Sequence, residues 1–103
     1  MANYVLAYKG GTMGETPDEQ QKQMEAWMNW FGSLGDSIVD AGNPFGESSG
    51  LESDGSTAAA TSGLAGYSII TADSMGEAQG KAKGCPVLST GGTIDIYEAM
   101  PIG

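Results

Sequence analysis

The stretch from Thr16 to Gly35, TPDEQQKQMEAWMNWFGSLG, decides how the rest of the chain is read. Thr16 stands where a helix N-cap belongs, Pro17 fits the first helical position, and Glu19 completes a capping box three residues after the threonine. Met24, Trp27, Met28, Phe31 and Leu34 recur at helical spacing, which predicts one apolar stripe packed on a sheet. Trp30 falls at the edge of that stripe, where it can face a pocket. Gly35 ends the helix.

Strands are expected on both sides of this helix. Asn3 to Tyr8 is rich in Tyr, Val and Leu and reads as a strand broken by Gly10-Gly11; Ser37 to Asp40 reads as a second, short one. Leu64 to Thr71 forms a third. Asp73 or Ser74 caps a second helix, Ser74 to Glu77 matching the capping box, with Ala78 and Ala82 on its inner face; Gly84 is placed as a left-handed C-cap, and Pro86 stops continuation. Thr93 to Glu98 alternates strictly and makes the fourth strand. The order β-α-β, β-α-β implies an α+β, ferredoxin-like βαββαβ domain, with a four-stranded antiparallel sheet of order 4-1-3-2, both helices on one face, and the first and third strands as a central parallel pair.

The 103 residues suit one domain, residues 1–103, with a flexible loop or irregular hairpin at about 47–63, where Ser, Gly, Thr and Ala dominate. Four lysines, no arginine and no histidine stand against 13 acidic residues, for a formal net charge of −9. This composition opposes nucleic-acid binding and adsorption to anionic membranes, and no apolar run reaches the roughly 20 residues of a membrane span. The absence of a basic, apolar leader predicts a cytoplasmic protein. Without histidine, and with Cys85 the only cysteine, relay catalysis lacks its base and a metal site its usual ligands, so neither metal nor cofactor is expected. Glu47, Glu52 and Asp54 lack EF-hand spacing. The turn Gly10 to Gly14 lacks the lysine and spacing of a phosphate loop. Cys85 reads as a small buried hydrophobe.

If Val5 and Ala7 join Ile94 and Ile96 beneath the helices, the opposite sheet face carries Tyr4, Leu6, Tyr8, Asp95 and Tyr97, with Tyr67 or Ile70. Such a face is too apolar for water, which predicts a homodimer through sheet faces with a cleft for a small-molecule ligand. Tyr4, Tyr8, Trp30 and Tyr97 are the expected ligand-binding residues. For an enzyme, the candidates are Asp36, Asp95 and Tyr97, whose burial between sheets would tune acid-base chemistry.

Trp30 to Asp36, the turn Gly42-Asn43-Pro44-Phe45-Gly46, the run Gly66 to Ser74 with Glu77-Ala78, and Ala82 to Pro86 followed by Gly91 to Glu98 together resemble the YCII-related (DGPF-domain) family. The resemblance covers Tyr4 to Glu98. It implies a dimeric α+β barrel, two ferredoxin-like sheets packed face to face. Some members of that family carry a His-Asp pair suspected of catalysis; here Met24 stands at the histidine position, so the pair does not carry over, while Asp36 matches the acidic partner. What the resemblance and the residues jointly imply is a binding protein, or an enzyme working with carboxylate and tyrosine alone.

Overall fold

Alternation along strand β1 (Ala2–Lys9) divides the molecule into a packed side and a bare side. The computed structural model describes residues 1–102. After β1 come helix α1 (Pro17–Leu34), strand β2 (Ile38–Asp40), a small hairpin of β3 (Gly50–Leu51) and β4 (Thr57–Ala58), strand β5 (Leu64–Ala72), helix α2 (Met75–Ala82) and strand β6 (Thr93–Ala99). Four strands form one antiparallel sheet in the order β2-β5-β1-β6, the order expected from the two β-α-β halves. The central pair β1 and β5 is antiparallel, which corrects the expected parallel pair. Within each half the two strands are parallel but one strand apart, and the gap is filled by an oppositely directed strand of the other half.

Both helix starts form as their residues dictate. Thr16 Oγ1 accepts the Glu19 N–H at 3.2 Å and Ser74 Oγ accepts the Glu77 N–H at 3.1 Å, satisfying donors that a helix start leaves unpaired. Two local expectations need correction. Gly84 is not left-handed; α2 closes at Lys83, and Gly84 lacks a side chain because a Cβ there would lie 3.1 Å from Trp30 Cδ1. The buried face of α1 is rotated toward Trp30, so Trp27, Phe31 and Leu34 pack against the core while Met24 and Met28 are each 65% exposed. At about 100° per residue, the centre of the Trp27, Trp30, Phe31 and Leu34 arc lies well to one side of both methionines.

Under the helices sit Tyr4, Leu6 and Tyr8 of β1, Ser68, Ile70 and Ala72 of β5, and the half-buried Ile94 and Ile96 of β6. The register makes this one face, because Leu6 lies opposite both Ser68 and Ile96, and Tyr8 opposite Ile94. The expected parity of β1 is therefore reversed. Tyr4, Leu6 and Tyr8 offer far more apolar surface than Val5 and Ala7, and the larger set is the one buried. Tyr8 meets Trp27 edge-on, ring centroids 5.2 Å apart, and Trp27 meets Trp30 at 5.8 Å.

Two polar ties hold the helices to the sheet. Buried Trp30 donates its Nε1–H to the Lys81 carbonyl at 3.0 Å, joining α1 to α2. The Lys81 ammonium then donates to Ser37 Oγ and the Thr71 carbonyl, both at 3.0 Å, and meets Glu77 at 3.1 Å, fixing α2 to the ends of β2 and β5. In the hairpin, Asp54 Oδ1 accepts from the Ser56 N–H and hydroxyl, so this acid builds a turn. Among the described residues no helix is long and apolar enough to cross a membrane.

Trp30→Ala should cost about 3–5 kcal/mol in urea denaturation, the usual loss for a buried large aromatic. Trp30→Phe, which keeps a buried ring but leaves the Lys81 carbonyl without its donor, should lose about 1–3 kcal/mol. A Phe variant as stable as the native chain would remove the hydrogen bond from the account of how α1 and α2 are joined.

Candidate functional site

The side of the sheet away from the helices is built from the odd-numbered residues of β1. Val5 lies between Ile69 and Tyr97, and the next row places Ala7 between Tyr67 and Asp95. Ala7, the smallest of these side chains, forms a floor with larger groups on both sides. On the β6 side, Lys9 Nζ is 2.7 Å from Asp95 Oδ2, and this contact holds the ammonium charged by raising its pKa. Tyr97 stands beside the pair, 63% exposed.

The opposite wall depends on a chain reversal after β2. The pairing of Ile38 with Ile70 and Asp40 with Ile69 leaves Val39 as a bulge, and Asp40 emerges on the bare side. Gly42 then takes φ +80° so close to β5 that a Cβ would fall 1.7 Å from the Tyr67 carbonyl oxygen; only glycine fits. Ser68 donates its hydroxyl to the Ala41 carbonyl at 2.6 Å, and the Phe45 N–H donates to the Ala65 carbonyl at 2.8 Å, laying the loop along β5. Phe45 consequently stacks on Tyr67, with centroids 5.7 Å apart and planes 22° from parallel. The Tyr67 hydroxyl donates to Asp40 Oδ2 at 3.0 Å, while Asp40 Oδ1 accepts the Gly42 N–H at 2.9 Å. The hydrogen bond to Asp40 raises the phenol's pKa, since losing the proton would break it and leave a phenolate facing a like charge.

Of the expected site residues, Asp95 and Tyr97 are on this face and lie in adjacent rows. Asp36 is exposed on the turn between α1 and β2 and takes part in none of the contacts described. Tyr4 and Tyr8 belong to the core beneath the helices, so the expectation that they line a cleft on the open sheet face is corrected by the parity of β1; Trp30, expected to face a pocket from the edge of its stripe, is buried in the same core. Tyr67, expected only if the third strand had the right register, is present; Lys9, Asp40 and Phe45 are additional. Lys9 was legible as the next odd position once Ala7 faces outward, but nothing local to Asp40 or Phe45 announces a loop folded back onto β5.

Open depressions lie elsewhere. One of about 420 Å³ runs between α2 and β6 over Ala82, Leu88, Ile94 and Ile96. Another, about 530 Å³, lies where the Thr12 to Glu15 turn meets the start of α1. There Gln23 accepts the Gly14 N–H and donates to the Thr12 carbonyl, both at 2.9 Å, so the turn's backbone is bound to α1.

Cys85 is 3% exposed, and burial pushes its thiol up to about 11. Nearby Tyr8, whose buried hydroxyl has no hydrogen-bond partner among the described residues, is shifted upward by burial as well. These groups oppose nucleophile chemistry at this position.

No protein-family model matches the chain, and no curated protein matches it in sequence.

Native Cys85 should resist iodoacetamide at pH 8 and react fully in urea. An unfolded thiol with a pKa of 9.0 gives up its proton before the folded one at about 11, so stability should be intact below pH 9 and fall as pH rises from 9 to 11. Melting temperatures across that range should decline less steeply for Cys85→Ala; parallel declines in the two proteins would rule out the thiol as a source of alkaline instability.

Proposed function

We propose that the chain is a ferredoxin-like βαββαβ domain of the YCII-related kind, in which two copies pair through their bare sheet faces and hold a small molecule between them. The β3–β4 hairpin is then an insertion between β2 and β5. The observation that carries this reading is the uncovered face itself: Val5, Ile69 and Tyr97 form an apolar row across three strands with no helix against it. The chain's surface supports it. A compact protein of 10.5 kDa exposes about 5,400 Å² and this chain exposes 6951 Å². Its radius of gyration is 15.1 Å, against about 13 Å for a compact chain of similar length. The excess is larger than the roughly 800 Å² per partner of a stable interface.

Binding is favoured over turnover because both carboxylates on the face already have fixed partners, Lys9 for Asp95 and Tyr67 for Asp40. The lone buried thiol fits a reducing compartment such as the cytoplasm.

Each copy carries −9, so association should strengthen with salt as the mutual repulsion is screened. Sedimentation equilibrium should give twice 10.5 kDa at micromolar concentration. Tyr97→Glu, which buries an unpaired charge in the proposed interface while altering an exposed site in the single chain, should weaken pairing about 100-fold or more with unchanged circular dichroism. A native protein that sediments at 10.5 kDa at every concentration and salt would sink the proposal.

A further inference from the structure

The ionic groups of the bare face do not balance. Lys9 is bound to Asp95 at 2.7 Å, and the other lysines lie elsewhere: Lys81 is held by Ser37, Thr71 and Glu77, Lys83 borders the depression beside α2, and Lys22 borders the one at the start of α1. The chain has no arginine or histidine. Among the described residues Asp40 therefore has only neutral donors, the Tyr67 hydroxyl and the Gly42 N–H.

In the open face water solvates this carboxylate. Covered by a second sheet, it loses that water, and the second copy brings another Asp40 and a further charge of −9. A carboxylate taken out of water without a countercharge is strongly disfavoured. Two of the groups beside it are aromatic, Tyr67, whose ring bonds Asp40, and Phe45 stacked on that ring; the row that starts at Asp40 then runs across Ile69 and Val5 to a third, Tyr97. Aromatic faces beside an unbalanced carboxylate are the chemistry that receives an organic ammonium ion. An anionic ligand would meet the reverse, a carboxylate with no free cation to oppose it.

We propose that the ligand held on this face is a small organic cation, an ammonium group on an apolar body, with Asp40 as its counter-ion and Phe45, Tyr67 and Tyr97 as its apolar enclosure. This rests on the paired-sheet reading above. The overall charge of −9 adds attraction for such a ligand at a distance, which salt would weaken.

Calorimetric titration of the full chain with benzyltrimethylammonium, benzyl alcohol and benzoate compares three charges on one ring, and sedimentation of the same samples reports pairing separately. The cation should bind at least about 10-fold more tightly than the alcohol, and benzoate should not bind. Asp40→Asn, which retains an acceptor for the Gly42 N–H, should still pair and should lose the preference for the cation. A paired protein that binds none of the three, that takes the alcohol or benzoate as tightly as the cation, or that keeps its preference in Asp40→Asn overturns the proposed ligand class and leaves the pairing intact. A protein that stays single in every sample overturns the pairing first and the ligand class with it.

Discussion

Every side chain of β1 has one of two environments, and the choice made there settles the rest of the molecule. The strand is central, bonded to β5 on one edge and β6 on the other, so its parity propagates across the sheet through register. Placing Tyr4, Leu6 and Tyr8 inward supplies the surface against which Trp27, Trp30 and Phe31 pack. It simultaneously brings Val5, Ala7 and Lys9 to the other side, where they meet Ile69, Tyr67, Tyr97 and Asp95. Core and candidate site are two consequences of one alternation.

Lysine is scarce in this chain, and its use is correspondingly informative. Lys81 serves architecture, with three oxygen partners: one in the turn before β2, one on β5 and one on its own helix. Lys9 serves the face by neutralising Asp95. Asp40 is left with a phenol and a backbone amide, an arrangement well suited to open water and poorly suited to enclosure. The acidity that opposes nucleic-acid binding at the level of composition thus has a local counterpart on the sheet.

What was legible in the sequence was mostly local. Thr16, Pro17 and Glu19 identify the start of α1, and Ser74 with Glu77 the start of α2, because a cap is decided within four residues. Strand order followed from the two β-α-β halves. Parity in β1 was hidden because the middle of both alternating sets is apolar, Val5 and Ala7 against Tyr4, Leu6 and Tyr8, and only Asn3 and Lys9 near its ends mark the solvent side. Gly84 looked like a C-cap in isolation; its real constraint, the indole of Trp30, lies more than fifty residues away. The Met24 and Met28 positions match helical spacing yet face outward, since spacing locates a stripe without fixing how the helix is turned about its axis. Asp95 and Tyr97 could be placed on the bare face because β6 alternates cleanly. Asp40 and Phe45 were missed because a bulge and a loop folded along β5 place them.

Gly42 bears no functional group, yet the position of one depends on it. Its left-handed turn against the Tyr67 carbonyl is what allows the loop to lie flat on β5, and its amide is one of the two donors that aim the Asp40 carboxylate. A side chain at this position would touch no ligand and carry no charge to the face, and would still lift the loop that carries both Asp40 and the ring of Phe45. The acid and the aromatic wall are therefore mechanically linked: they move together or stay together. The chemistry of the face is hinged on the one residue in it that has none.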